Sequence, residues 1–156
     1  MRSAIIIILF SITLFAEDNT MVVRDHELKL GMNIDNVWDA LASDFNVVED
    51  DNTFYVSDNM NNPVCVVYFK NEKVIKIIKD WGTTYKTNVG QVFKILWNVL
   101  KEHEKDMNDV KIVPQQTFSG QGDKFNLLIY ITDDRYLDIS IKFNVTILEV
   151  LEEKQP

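Results

Sequence analysis

The chain has 156 residues, of which 24 are acidic and 16 basic, and its formal net charge at pH 7 is −8. This length suits one domain with a buried core, and the acidic charge argues against nucleic acid or anionic lipid as a partner. A basic partner is favoured, although solubility alone explains the charge equally well. The one cysteine, Cys65, excludes a disulfide within the chain, and the apolar sequence around it predicts a buried thiol.

Residues 1–16 have the layout of a secretory signal peptide: one basic residue, an apolar run over residues 4–15, and Ala16 before an acidic pair. The apolar run is shorter than the roughly twenty residues that a membrane-spanning helix needs. Leu14 is large for a position two residues before the cut, so a retained anchor is the alternative. We therefore expect a periplasmic or secreted protein with a single domain over residues 17–156 and no stable membrane insertion after cleavage.

The first half of the mature chain predicts one helix and then strands. Asn33 is the expected N-cap of the helix. The apolar stripe of this helix consists of Ile34, Val37, Trp38 and Leu41. Four strands are predicted near residues 45–48, 53–56, 64–69 and 73–78. Asn71-Glu72 is a candidate two-residue turn between the last two strands, and residues 79–86 are predicted to link the halves.

The second half repeats this order. A helix is predicted from Thr87 or Asn88 to about Lys105. Its buried stripe is expected to consist of Val89, Val92, Phe93, Leu96, Val99 and Leu100, widened by Ile95 and Trp97. Strands are predicted near residues 110–113, 116–119, 125–132 and 136–147. The last is expected to alternate, with Ile139, Ile141, Phe143, Val145 and Ile147 on one face.

These patterns predict an α+β fold, in which an antiparallel sheet carries two helices packed on one of its faces. Residues 67–77 can be aligned with residues 129–139, since both have an apolar-Tyr-apolar-polar run, two turn residues, a base and a second strand. A duplicated helix-plus-strands unit, with halves at 28–80 and 87–147, explains this match. The alternative is that any two hairpins look alike, because a hairpin has few sequence solutions.

The stretch from Leu28 to Leu41, with the sequence LKLGMNIDNVWDAL, resembles the Leu-Gly-Met-x-x-x-x-Val-x-x-x-Leu opening of small exported bacterial domains of the SmpA/OmlA kind. The beta-lactamase-inhibitor-protein fold is built from related units. These units continue with strands and a hairpin that residues 66–77 resemble, so the resemblance covers about residues 28–80. It implies a binding module of envelope assembly or a protein inhibitor. The chain lacks the lipidated cysteine of the lipoprotein members, so anchoring at the outer membrane is not implied.

No catalytic or metal-binding motif is evident in the sequence. The two histidines, His26 and His103, have no helical His-x-x-x-His spacing. The Asp/Asn-rich stretch over residues 44–62 lacks the spacing of a calcium loop and is better explained by polar turns. Carboxylates are abundant, but their spacing selects no acid–base pair. We therefore expect no enzyme, no cofactor and no metal.

Trp81 and Tyr85 are the only interface candidates that the sequence offers, because they lie in the predicted linker outside any periodic stripe. Trp81 folding back to cover the base of the sheet is the alternative. We expect a non-catalytic protein-binding domain, of envelope-assembly accessory or inhibitor type, that acts through its sheet surface and loops. The competing prediction is a small-molecule carrier or sensor with its ligand between the helices and the sheet.

Overall fold

The computed structural model describes residues 19–85, 88–117 and 124–154. Strands account for 54% of these residues and helices for 17%, and the strands pair antiparallel. The predicted α+β class with an antiparallel sheet is confirmed, although the sheet dominates more than the sequence patterns suggest. The predicted leader, residues 1–16, lies outside the described residues. Within the described ranges, no helix is long and apolar enough to cross a membrane.

A two-stranded hairpin precedes the first helix and four strands follow it. The elements of this half are β1 (Thr20–Val23), β2 (His26–Lys29), α1 (Ile34–Leu41), β3 (Asn46–Asp50), β4 (Thr53–Ser57), β5 (Pro63–Lys70) and β6 (Lys73–Tyr85). The predicted cap of α1 is confirmed, because the Asn33 side chain accepts a hydrogen bond from the backbone N–H of Asp35 at 3.0 Å. The predicted turn at Asn71-Glu72 is also confirmed, and both residues have positive φ, as a tight hairpin turn requires.

The second half has the same order of elements, a helix and then four strands. They are α2 (Val89–Glu102), β7 (Lys111–Thr117), β8 (Lys124–Tyr130), β9 (Arg135–Ile141) and β10 (Asn144–Glu152). In place of the two short strands predicted over 110–119, β7 is one strand. Helix α2 ends three residues before the predicted Lys105.

Eight strands form one antiparallel sheet in the order β3-β4-β5-β6-β10-β9-β8-β7, and β1 and β2 pair separately. Each half therefore contributes a four-stranded meander, and the last strands of the two meanders pair with each other at the centre. The hairpins matched in the sequence, residues 67–77 and 129–139, belong to β5–β6 and β8–β9. These hairpins occupy different positions in their meanders, so that local match does not itself define the repeat.

Each helix packs over a separate hydrophobic core. The first core combines α1, the β1–β2 hairpin and strands of the first meander, and includes Met21, Val23, Leu28, Val37, Leu41, Phe54, Val67, Phe69, Ile77 and Leu151. The second core combines α2 with strands of the second meander, and includes Ile95, Leu96, Val99, Leu100, Ile129, Leu137, Ile139, Val145 and Ile147. Strand β10 contributes to both cores, through Leu151 and Ile147.

The strand predicted over residues 136–147 is wrong in one respect, because the chain turns back at Lys142-Phe143 to give β9 and β10. Ile141 pairs with Val145 across this turn, so both side chains lie on the same face of the sheet. Residues 141 and 145 are four positions apart, so they would also share a face in a single long strand. The sequence alternation therefore cannot distinguish one long strand from this hairpin. Only Phe143, at the tip, departs from the predicted face, and its side chain is exposed.

Candidate functional site

Trp81 and Tyr85, the two residues singled out from the sequence, lie in β6 and not in a linker. The strand continues past its predicted end at Ile78 as far as Tyr85. Gly82 has a positive φ of 95°, and the register with β10 shifts beside it. Trp81 and Gly82, within the predicted linker, therefore form a bulge in a continuous strand.

Trp81 is half-buried in a polar cluster between the two cores. Its indole N–H donates to the Glu149 carboxylate at 3.0 Å, and the Lys79 ammonium lies 3.9 Å from the centre of its ring. Glu149 also pairs with Arg135, and both side chains are 1% exposed. Arg135 in turn donates to the backbone carbonyl of Thr20. This arrangement agrees with Trp81 covering the sheet, and it ties the first strand of the chain to the second meander.

Tyr85 is 77% exposed at the end of β6, and three further apolar residues are exposed along α2. Tyr85 pairs with Asn144, whose neighbour Val145 is in the second core, so Tyr85 lies on the face of the sheet opposite that core. Val89, Phe93 and Trp97, which we call the α2 ridge, follow at intervals of four residues and are 54%, 61% and 64% exposed. Residues at this spacing lie on one side of a helix. The prediction that Val89, Phe93 and Trp97 belong to the buried stripe is wrong. The adjacent residues Leu96, Val99 and Leu100 face the second core instead.

A row of mostly apolar and aromatic side chains crosses the whole eight-stranded sheet. Consecutive members are direct cross-strand partners, so all lie on one face. The row, which we call the tyrosine row, consists of Val48, Tyr55, Val66, Ile78, Val150, Tyr136, Tyr130 and Lys111, one residue from each strand. None of these residues belongs to either core cluster. Val48, Tyr55 and Lys111 are exposed, Val150 is only 3% exposed, and the other four are half-buried. Sequence reasoning missed the row because its members are consecutive only in space.

The side chains around the tyrosine row are polar and charged. Lys76 contacts Glu152 at 2.5 Å, and Asp80 and Asp138 are both cross-strand partners of Leu148. Partial burial is the largest single effect on the pKa of Lys76 and lowers it, but the hydrogen bond to Glu152 and the interactions with Tyr136 and the Glu152 charge together leave that pKa raised. Burial has the opposite effect on Tyr136 and raises the pKa of its phenol, so the phenol is neutral at physiological pH. An apolar strip with a charged rim is typical of protein-binding surfaces.

Cys65 and His26, which could support covalent or metal chemistry, each pack against neighbouring side chains of the first half. Cys65 is in the first core, and burial raises the pKa of its thiol to about 12, so the reactive thiolate is scarce at neutral pH. His26 lies 2.9 Å from Asp44 and packs edge-on against Phe45. Among residues 19–85, 88–117 and 124–154, no three His, Cys, Asp or Glu side chains are grouped to hold a metal ion.

The end of the Asp/Asn-rich stretch, after β4, forms a turn organised by Asp58, in agreement with the interpretation of this stretch as polar turns. Its carboxylate accepts hydrogen bonds from the backbone N–H groups of Met60 and Asn62, both at 2.9 Å, and from the Asn62 side chain. Arg24 lies 3.3 Å away. The Asn62 side chain, and then these backbone amides and Arg24, lower the pKa of Asp58 to about 2.

Two surface depressions beside the helices are relevant to the competing prediction that the protein carries or senses a small molecule. One, of about 420 Å³, lies beside α1 and is lined by Trp38 and Phe54 together with Asp35, Glu49 and Asp51. The other, of about 540 Å³, is lined by Trp81 and the polar side of α2. Both are open to solvent and partly lined by polar or charged side chains. They give the carrier alternative less support than the tyrosine row gives to protein binding.

No family model, no curated protein and no solved structure matches this chain. The resemblance of residues 28–80 to the SmpA/OmlA domains therefore stays a prediction.

Proposed function

We propose that this protein is an exported, non-catalytic protein-binding domain whose partner docks on the tyrosine row. The observation that carries the proposal is that the row crosses all eight strands without belonging to either core. Tyrosine and other aromatic residues are enriched at protein interfaces, because they bury a large area at low entropic cost. Binding would act by occlusion or assembly without a chemical step, as expected of an envelope-assembly accessory or an inhibitor.

We also propose that α1 and α2 cover the same face of the sheet, and that the tyrosine row is the opposite face. The alternation along β10 supports this arrangement, because Leu151 packs in the first core, Ile147 in the second, and Val150 between them in the row. Side chains two residues apart share a face of a strand. The order of one helix and four strands in each half likewise supports a duplicated unit.

The partner that best fits this surface is a protein with basic side chains. Asp80 and Asp138 flank Leu148 beside the row, and Glu49 and Asp50 lie in β3 at the edge of the sheet. The overall charge of −8 acts in the same direction, and it disfavours nucleic acid. Periplasmic or secreted location, with cleavage near Ala16, remains part of the proposal.

The test is affinity capture of the tagged chain from an envelope extract of its source. A row variant, Val48→Thr with Tyr55→Thr, removes the two exposed apolar members and places β-branched threonine, a good strand former, at both positions. Its control, Phe93→Gln with Trp97→Gln, removes comparable exposed area from the α2 ridge. We expect a stoichiometric protein that the row variant loses and the control retains. Equal retention by both variants, or no retained protein, would contradict the proposal.

A further inference from the structure

The α2 ridge lies in a part of the chain that reverses the overall charge. The segment from Trp81 to Lys101 contains three lysines, Lys86, Lys94 and Lys101, and no aspartate or glutamate. The whole chain has 24 acidic residues among 156, so about three would be expected in a segment of this length. Lys94 and Lys101 are exposed on α2, like the ridge itself. The exposed side of α2 is therefore apolar, aromatic and basic as far as Lys101, and the helix ends at the exposed acidic residue Glu102.

A second exposed aromatic lies at the same end of the sheet as the start of the ridge. Asn144, the first residue of β10, pairs with Tyr85, so the preceding Lys142-Phe143 turn lies beside the end of β6. Phe143 is 81% exposed, and the Lys142 ammonium is 5.6 Å from the centre of its ring. Residues 139–148 contain no acidic residue. Like α2, this turn therefore presents an exposed aromatic side chain together with a lysine.

We propose that the α2 ridge and the Phe143 turn dock this protein on an anionic lipid bilayer, with the aromatic side chains in the headgroup region. Interfacial helices combine Trp and Phe with lysine in this way, and Trp and Tyr concentrate at the membrane–water boundary. Lysines near an anionic surface strengthen the binding. The surface is separate from the tyrosine row, so the proposal does not depend on protein binding there.

A bilayer fits this surface better than an acidic protein does. The aromatic side chains project from a convex helix and from a turn tip, whereas a protein partner would have to match both shapes at once. A fluid lipid headgroup layer can accommodate aromatic side chains that project from separate elements of the fold. The overall acidic charge predicts repulsion from anionic lipid only if that charge is spread evenly over the surface. The structure places Lys94 and Lys101 on α2 with the ridge, and Lys142 beside Phe143. The Debye length in physiological salt, about 8 Å, makes this local charge decisive.

The first test is cosedimentation of the full chain with vesicles of phosphatidylcholine alone or with about one-third phosphatidylglycerol. We expect preferential binding to the anionic vesicles. Phe93→Gln with Trp97→Gln should weaken it at least about tenfold, and Lys94→Gln with Lys101→Gln about tenfold. The matched controls are Val48→Thr with Tyr55→Thr, and Lys70→Gln with Lys73→Gln, which change similar exposed residues elsewhere. Failure of the wild-type chain to bind anionic vesicles would overturn the proposal and favour an acidic protein partner.

A second measurement separates this surface from any contribution of the apolar residues 1–16. Nitroxide labels on Phe93→Cys, Phe143→Cys and, as a control, Tyr55→Cys report accessibility to oxygen and to a water-soluble nickel complex. Cys65 is buried and stays unlabelled. Labels at positions 93 and 143 should be shielded from nickel on anionic vesicles, while the label at 55 stays in water. If the chain binds but the labels at 93 and 143 remain accessible to nickel, the proposal is wrong.

Discussion

The two halves share an order of elements but use their phenylalanines in opposite ways. Phe45, Phe54 and Phe69 of the first half are buried, whereas Phe93, Phe125 and Phe143 of the second half are exposed. The first core is closed by the β1–β2 hairpin as well as by α1, while α2 covers the second core with one stripe and leaves another uncovered. A similar sequence pattern therefore gives a closed core in one half and a surplus of apolar surface in the other. Exposed apolar surface of this kind is available for binding a partner.

A large effect should come from breaking the polar cluster that joins the halves. Glu149→Ala leaves the buried Arg135 without its partner and Trp81 without its acceptor, so we expect a loss of about 3–5 kcal/mol in the free energy of unfolding. Urea denaturation measures this loss. Glu152→Ala, which removes a partly exposed ion pair of the same strand, should cost at most about 1 kcal/mol. Equal costs for the two variants would mean that the cluster does not hold the halves together.

Matched phenylalanine truncations test the contrast directly. Phe54→Ala opens a cavity in the first core and should cost about 3–5 kcal/mol in unfolding free energy. Phe93→Ala removes an exposed side chain from α2, and Ala is the better helix former, so its cost should be within about 0.5 kcal/mol. Thermal and urea unfolding of both variants provide the comparison. A large loss for Phe93→Ala would show that the α2 ridge is packed in solution and unavailable for docking.

The smallest effect concerns pH and the Asp58 turn of the first half. Because the folded pKa of about 2 is below the ordinary value, the ionised carboxylate favours the folded turn above pH 4, and that contribution is lost as the pH falls toward 2. The amide resonances of Met60 and Asn62 should therefore hold their positions down to about pH 3. Asp58→Ala should shift both resonances at neutral pH. A midpoint near pH 4 for these shifts would contradict the hydrogen bonds described for Asp58.

Local features were predictable from the sequence because local chemistry decides them. The Asn33 cap and the Asn71-Glu72 turn depend on residues within a few positions, and both predictions are confirmed. Periodicity also located both helices and most strands. It failed at Lys142-Phe143, because the hairpin there preserves the alternation of a single strand.

The surfaces were not predictable, because they depend on which neighbours arrive from elsewhere in the chain. Helix α2 is apolar over a wide arc, and its sequence does not say whether Phe93 or Leu96 faces the sheet. Tyr55 and Tyr130 are 75 positions apart, yet they occupy one row because the two meanders join. Arg135 and Glu149 carry no sequence signal of burial, since charged residues are ordinarily solvated. The surroundings of these residues are determined by how the strands pair, which the local sequence does not encode.

The place of β10 in the sheet has a consequence for biogenesis. This strand follows all the other described strands along the chain, yet it lies at the centre, between β6 and β9. A ribosome therefore releases the first meander and the first three strands of the second before the strand that unites them. Until β10 arrives, β6 and β9 each present an unpaired edge, and such edges are open to wrong pairing between chains. Chaperones that shield strand edges during synthesis would protect this protein at that moment.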